Sequence, residues 1–229
     1  MGTHSRVIVM LLASVLAGCG YTRVAEERTD DGLVRVPSRA SGGVYRDPAA
    51  DFTPFKRIIL EPPTIEFTTD WREAHPEVKD AEVRRIRDEA VRLFREQFTR
   101  ELVDRGNFEL TDTLAPDVLL IAPRVVDLDI PAPEANTDLD KRSYTPGPVR
   151  MQITGDVRSA VNNNLLMRVI IFEGQSRYGN DELRLANRST NAHELLVGFG
   201  KWSKMLNEAL NVAKAMQPGP ATAQPAAPN

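Results

Sequence analysis

The residue types that most often do chemistry are scarce in this sequence of 229 residues. Cys19 is the only cysteine, so no intrachain disulfide can form. The three histidines lack a second ligand at metal-binding spacing, and a metal site needs about three or four ligands. Asp127 and Asp129 could form the carboxylate pair of a glycosidase, but with 32 acidic residues chance proximity explains them better. We predict no metal and no cofactor.

The residues before Cys19 have the pattern of a secretory signal. Arg6 gives a short positive start, and the apolar run 7–17 follows it. Eleven residues are too few to span a bilayer as a helix, which needs about 20. The alternatives are a signal that is cut at this cysteine and an ordinary signal peptide that happens to contain one.

The tetrad Leu16-Ala17-Gly18-Cys19 resembles the lipobox of bacterial lipoproteins. This resemblance implies cleavage between Gly18 and Cys19, a diacylglyceryl thioether on the sulfur, and acylation of the new amino group by a fatty acid such as palmitate. Two or more acyl chains give stable anchoring, so the lipid bilayer is the first expected partner. Gly20 stands where inner-membrane lipoproteins commonly carry Asp, which favours the periplasmic face of the outer membrane over the inner membrane.

Composition limits the classes of partner. There are 29 basic and 32 acidic residues, for a net charge of −3, without a basic block. This balance argues against nucleic acid and against an electrostatic membrane patch. We divide the chain into a signal (1–18), a lipidated cysteine with a flexible tether (19–50), one domain (51–217) and a disordered tail rich in Pro and Ala (218–229).

Hydrophobic periodicity predicts two amphipathic helices. The first spans about 77–105, with Gly106 as a left-handed C-terminal cap. Its apolar stripe consists of Val83, Ile86, Ala90, Phe94, Phe98 and Leu102. The second begins at a cap formed by Thr190 or Asn191 and runs to about 216. Its stripe consists of Leu195, Phe199, Trp202, Leu206, Leu210, Ala213 and Met216.

Strand patterns occur between and before these helices. Residues 57–61, 117–122 and 126–130 are rich in β-branched and apolar residues, and 149–161 alternates with the period of a half-buried strand. Asn162 to Asn164 form a turn into the strand 165–172, which gives a hairpin. The predicted fold is α+β: an antiparallel or mixed sheet of about four or five strands, with two helices packed on one face.

Two segments are candidates for partner contacts. The polar, proline-rich loop 131–148 is long enough to be either functional or disordered. Its candidate contact residues are Glu134, Asp138, Asp140, Lys141 and Tyr144. Trp71 lies on a second polar loop, where its ring either contacts a partner or folds back on the domain, the more usual arrangement for tryptophan.

The order of these elements resembles a Gram-negative lipoprotein family known as domain of unknown function 3313. The matching pieces are the lipobox, the strand near Arg57, the helix ending at Gly106, the hairpin, and Asn191, Phe199, Trp202 and Leu206. This chain departs from the family at the hairpin turn, where it has Arg158, Ser159 and three asparagines. The resemblance implies a small α+β domain and no particular activity.

Three functions are compatible with these observations. The favoured one is a non-enzymatic lipoprotein that binds an envelope protein as an accessory or scaffold in assembly or transport. The alternatives are a periplasmic hydrolase with a carboxylate site and a carrier of a small apolar ligand. Converging carboxylates in a deep cleft would favour the hydrolase, a large apolar cavity the carrier, and a filled core with an exposed apolar strip the partner-binding protein.

Overall fold

A computed structural model describes residues 28–38, 42–131, 143–145, 148–174 and 184–216, with the backbone alone for 143–145, 184 and 185. The strands are β1 (Val34–Val36), β2 (Gly42–Arg46), β3 (Arg57–Leu60), β4 (Thr64–Phe67), β5 (Glu109–Leu110), β6 (Val118–Asp129), β7 (Ser143–Thr145), β8 (Arg150–Ser159), β9 (Leu165–Glu173) and β10 (Arg184–Ala186). The helices are α1 (Trp71–Ala74), α2 (Asp80–Phe98) and α3 (Arg188–Ala215), and α2 continues as a π-helix (Thr99–Asp104).

The main sheet is mixed and has eight strands, in the order β1-β2-β9-β8-β6-β3-β5 with β4 also paired to β6. Strands β3 and β4 pair in parallel with successive parts of β6, whereas β6, β8, β9, β2 and β1 pair antiparallel. Strands β7 and β10 form a separate antiparallel ribbon. The α+β class and the β8–β9 hairpin are confirmed, but the sheet is larger than the four or five strands that the sequence predicts.

One face of the main sheet carries the core, and we call it the helix face. Strand side chains alternate between faces, so Met151, Ile153, Gly155 and Val157 share one side of β8. Trp202 of α3 lies over this side, where a Cβ on Gly155 would come within 2.2 Å of the indole. The indole Nε1 donates to the Val169 carbonyl of β9 at 3.2 Å. Gly155 is therefore required by the close approach of the helix.

Helix α2 packs against α3 on the same face. Phe94 lies 5.4 Å from Phe199 and 5.3 Å from Trp202 between ring centroids, and none of the three rings is exposed to solvent. The predicted stripe of α2 is buried from Val83 to Leu102. The prediction is wrong only at the end of the stripe of α3, because Met216 caps the helix and remains 43% exposed.

The predicted tether, 19–50, is wrong over its second half. Residues 34–36 and 42–46 form β1 and β2, and β2 pairs along its whole length with β9. Val34, Val36 and Val44 lie on the helix face, and Val44 is 4% exposed. A run this short and interrupted has weak periodicity, so pairing with an existing sheet decides its conformation. The folded domain therefore includes residues well before 51.

Both predicted helix caps are displaced. Asn107, not Gly106, adopts the left-handed conformation, with φ of 59°. Gly106 is needed for space instead, because a Cβ there would lie 2.6 Å from the Leu102 carbonyl oxygen. Helix α3 begins earlier than expected: Asn187 is its cap, and Asn187 and Thr190 bond reciprocally in a capping box.

Candidate functional site

A groove of about 620 Å³ lies between the C-terminal half of α3 and the β1–β2–β9 edge of the sheet. We call it the α3–β1 groove. Its apolar wall consists of Val36, Val44, Met167, Met205, Ala209, Val212, Ala213 and Met216. Val212 and Met216 are 50% and 43% exposed, so the groove is accessible from solvent.

The groove exists because the side chains change along α3. Its N-terminal half places the large residues Phe199 and Trp202 on the centre of the sheet. Its C-terminal half presents Ala209 and Ala213 towards the edge strands. These side chains are too small to reach across to β1. The methionines of the wall are unbranched and polarizable, and such side chains adapt to ligands of different shape.

Three cations and one carboxylate belong to the groove: Arg46, Lys201, Lys204 and Glu208. Lys201 also pairs with Glu173 at 2.6 Å, and Lys204 lies 3.9 Å from Glu208 in a pair whose side chains are both about two-thirds exposed. The exposed Lys204–Glu208 pair contributes little to stability, about 0–1 kcal/mol. Glu173 is 16% exposed and compensates the charge of Lys201.

Arg46 differs from these lysines because it is buried, with 7% of its surface exposed. Its Nη2 donates to the Ala50 carbonyl at 2.9 Å and its Nη1 to the Met216 sulfur at 3.2 Å, while its Nε finds no hydrogen-bond acceptor among the described residues. The guanidinium also lies 5.6 Å from the Phe52 ring centroid. Among the described residues, no carboxylate lies within 4.0 Å of it.

The opposite face of the sheet carries a network of charges, and we call it the polar face. Arg168 binds Asp156 through Nε and Nη2, at 2.6 and 3.0 Å, and Asp31 through Nη1 at 2.7 Å. Arg158 binds Asp156 as well, at 3.0 Å. Burial raises the pKa of Asp156, but the hydrogen bonds and charges of Arg168 and Arg158 outweigh it and hold that pKa below its ordinary value. The network is a structural ion-pair cluster.

The carboxylates considered for a hydrolase do not converge in a cleft. Asp127 is exposed at a bulge in β6, with φ of 52°. Asp129 binds Arg150 of the neighbouring strand. In the part of the chain that the structure describes, no group of three or more His, Cys, Asp or Glu residues could hold a metal ion.

Trp71 is not available as a partner contact. It is 1% exposed and stacks on Phe67 at a centroid distance of 4.3 Å. Its Nε1 donates to the Ile130 carbonyl at 3.2 Å. The loop thus folds its aromatic ring back on the domain, because the sheet offers both an apolar surface and an acceptor for the indole N–H.

The remaining predicted site residues are only partly reached by the structure. Gly18, Cys19, Glu134, Asp138, Asp140 and Lys141 lie outside the described residues. Tyr144 does not belong to an irregular loop, because it pairs with Leu185 in the β7–β10 ribbon. Both ends of the 131–148 segment meet α3: Asn191 donates to the Pro131 carbonyl at 3.0 Å, and Glu194 accepts from the Val149 N–H at 2.5 Å.

The α3–β1 groove was missed from the sequence, although one signal pointed to it. Met205, Ala209, Val212 and Met216 form a second apolar stripe at helical spacing, beside the stripe that enters the core. The partner surface of this stripe comes from strands 34–36 and 42–46, which the sequence did not predict. Among the described residues, no helix is both long and apolar enough to cross a bilayer.

Comparison with known proteins gives only distant structural neighbours. No protein-family model matches the chain, and no curated protein matches it. A PelC dodecamer from Paraburkholderia phytofirmans is similar at 10% identity, over 76% of this chain and 96% of that chain, with a TM-score of 0.33. A putative neuraminyllactose-binding hemagglutinin homolog from Helicobacter pylori is 8% identical over 80% of this chain and 89% of that chain, with a TM-score of 0.33. A protein of domain-of-unknown-function family 330 from Xanthomonas campestris is 8% identical over 77% of this chain and 96% of that chain, with a TM-score of 0.35. TM-scores this low support no inference about this chain.

Proposed function

We propose that this protein is a lipid-anchored binding protein of the cell envelope, without enzymatic activity, that acts through the α3–β1 groove. The observation that carries the proposal is the groove itself: an accessible apolar cavity of about 620 Å³ beside a filled core. Ligand sites in proteins are typically apolar concavities of about 300–1,000 Å³ with a few polar groups. The groove has this size and this balance of side chains.

The location in this proposal comes from the sequence. The lipobox at Cys19 supports a lipid anchor, and Gly20 supports the periplasmic face of the outer membrane. Within this setting the protein would serve as an accessory or scaffold in envelope assembly or transport. Membership of the family known as domain of unknown function 3313 remains a prediction from the order of the elements.

The second candidate function is a carrier of a small apolar ligand, and the composition of the groove wall favours it over a hydrolase. The wall is mainly Val, Met and Ala, and it contains one carboxylate, Glu208. Glycoside hydrolysis needs two carboxyl groups held at a fixed separation. Among the described residues, Asp127 and Asp129, the carboxylate pair of the hydrolase hypothesis, do not line a common cavity.

Crosslinking in native membranes tests the groove. A photoactivatable amino acid at Val212, which is 50% exposed in the groove, should form adducts in the intact lipoprotein. The matched control is the same amino acid at Leu114, which is 65% exposed near the opposite, β5 edge of the sheet. Mass spectrometry of both samples should show adducts specific to Val212. Equal adducts at the two positions, or none at either, would contradict the proposal.

The anchor is tested by Cys19→Ala. Removing the sulfur removes the atom that would carry the diacylglyceryl group, so the protein should leave the membrane fraction and keep its signal. The measurement is fractionation followed by mass spectrometry of the N-terminus of both proteins. A wild-type N-terminus that begins elsewhere than Cys19, or that carries no lipid, would show that the lipobox interpretation is wrong.

A further inference from the structure

Arg46 is an incompletely satisfied cation in the wall of the α3–β1 groove. Only 7% of its surface is exposed, and its Nε has no acceptor in the part of the chain that the structure describes. The two partners of its Nη atoms are a neutral carbonyl, from Ala50, and a thioether sulfur, from Met216. Burying a charge without a directly paired opposite charge is costly, and a thioether is a weak acceptor. The Asp51 carboxylate interacts with Arg46 only through space, where hydrogen bonds from Thr53 and, to a lesser extent, the charge of Arg46 lower the pKa of Asp51. The guanidinium therefore favours the arrival of an anion.

Arg168, on the polar face, shows what this chain does when an arginine is fully paired. Its side chain is 20% exposed and binds two carboxylates, Asp156 and Asp31, through three of its nitrogen atoms. Arg46 is more deeply buried and, among the described residues, has no carboxylate within 4.0 Å. This difference in carboxylate pairing makes Arg46 the candidate position for binding an anion.

The weakest of the existing contacts of Arg46 is also the easiest to displace. Met216 is 43% exposed and is the cap residue at the end of α3. An anionic group could replace its sulfur at Nη1 and accept a second hydrogen bond from Nη2, because these two nitrogens present adjacent N–H donors in a fork. Lys201 and Lys204 also line the groove, and each already faces a carboxylate, Glu173 or Glu208.

The remainder of the groove requires an apolar ligand. Val44, Met167, Met205 and Ala209 lie along it, and its volume of about 620 Å³ is that of a small-molecule site. A ligand that fits both regions carries an anionic head and a hydrocarbon chain.

We infer that the α3–β1 groove binds an anionic amphiphile, with a carboxylate or phosphate head at Arg46 and an acyl chain along the apolar wall. This inference rests on the proposed function and names the ligand class. Two sources supply this chemistry, a free fatty acid and a phospholipid with an anionic head. The charge complementarity at Arg46 is common to both.

Photoactivatable lipids test the inference on the intact lipoprotein in phosphatidylcholine vesicles at pH 8. The probes are hexadecanoate, hexadecanol of the same chain length, and lysophosphatidylglycerol, each with a diazirine in the chain. Labelling of the segment from Met205 to Val212, measured by mass spectrometry, should be at least ten times greater with an anionic probe than with the alcohol. Labelling by one anion alone supports the inference and identifies its source.

Variants separate the head group from the chain. Arg46→Gln should reduce labelling by the anionic probes to the level of the alcohol, and Arg46→Lys should restore part of the difference. The matched control is Arg35→Gln, which removes the same charge from the neighbouring strand, where Arg35 pairs with Tyr45 on the polar face. The comparison of acid with alcohol in the wild type needs no variant, so it decides the question even if Arg46→Gln does not fold.

Several outcomes would overturn the inference. Equal labelling by hexadecanoate and hexadecanol would show that Arg46 selects no anion. Labelling that appears only after deletion of 217–229 would assign the groove to the tail of the chain. Adducts at Val212 without any amphiphile labelling would mean that the groove binds another class of partner, including a second copy of this chain. In that case the proposed function stands and this inference alone fails.

Discussion

The two faces of the main sheet are stabilised by different interactions. On the helix face, α2 and α3 bury a continuous apolar core that includes Phe94, Phe199 and Trp202, none of them exposed. On the polar face, Asp156 is held by Arg168 and Arg158, and Arg168 reaches Asp31. Apolar burial is largely insensitive to pH and salt, whereas ion pairs respond to both.

The position of the groove follows from a second difference, between the centre and the edge of the helix face. The helix face is filled where aromatic side chains of α3 meet the sheet centre. It is unfilled at the β1 edge, where α3 presents alanines. Strands β1 and β2 nevertheless place Val36 and Val44 on that face, where apolar side chains would normally be covered by a helix. The binding surface is thus the part of the helix face that the helices do not fill.

The largest effect is expected from a charge on the helix face. Phe94→Asp would bury a carboxylate among Phe98, Phe199 and Trp202, and should unfold the domain. Arg95→Asp changes the exposed neighbour and should alter the free energy of unfolding by no more than about 0.5 kcal/mol. Urea unfolding measures both. Similar midpoints for the two variants would show that the face of α2 is misassigned.

An intermediate effect is expected on the polar face. Asp156→Asn removes the negative charge that Arg168 and Arg158 share, and hydrogen bonds to charged groups are each worth about 1.5–3 kcal/mol. We expect the free energy of unfolding to fall by about 2 kcal/mol at pH 7. This value lies at the low end for several such bonds because part of the network is exposed to solvent. The pKa of Asp156 is lowered by folding, so the stabilisation is complete above its unfolded value of about 3.9 and declines as the pH falls through the folded value.

The wild type should therefore lose its advantage over Asp156→Asn only below about pH 4, as measured by urea unfolding across pH. Asp30→Asn, at an exposed position, is the matched control and should show no comparable difference. A difference between wild type and Asp156→Asn that stays constant down to pH 2 would contradict the role assigned to the ion pairs.

The smallest effect on stability is expected in the groove. Ala209→Leu places a larger apolar side chain in space that is already empty, so the free energy of unfolding should change by about 0.5 kcal/mol or less. Labelling by anionic amphiphiles should nevertheless be lost. Ala81→Leu, at an exposed position of α2, controls for helix propensity. Preserved labelling in Ala209→Leu would move the binding site out of the groove.

Sequence periodicity predicted the helices and the hairpin because their patterns are long. The alternation in β8 and the stripe of α2 each persist over several periods, so local and tertiary preferences agree. Strands β1, β2 and β5 are two to five residues long and give no comparable signal. The conformation of β2 and β5 comes from pairing with β9 and β3, which are distant in sequence, and β1 then pairs with β2.

The candidate site could not be predicted for the same reason. Arg46 has no distinguishing neighbours in sequence, and its partners Ala50 and Met216 are 4 and 170 residues away. Trp71 shows the opposite case, a residue that the sequence made a candidate contact and the structure buries. Its polar loop suggested exposure, whereas its stacking partner Phe67 and its acceptor, the Ile130 carbonyl, are identified only by the folded structure. Residues whose role depends on distant contacts are visible only once the sheet order is known.

Strands β1 and β2 and the bridge between Arg28 and Val34 shorten the segment that connects the domain to Cys19. Arg28 forms a β-bridge with Val34, and eight residues (20–27), or nine peptide steps, lie between Cys19 and Arg28. Nine peptide steps span at most about 32 Å when fully extended. If Cys19 carries the lipid, the β1 edge can never drift farther than that from the bilayer. The groove at this edge would then stay close to the bilayer surface, at a high local concentration of membrane lipid.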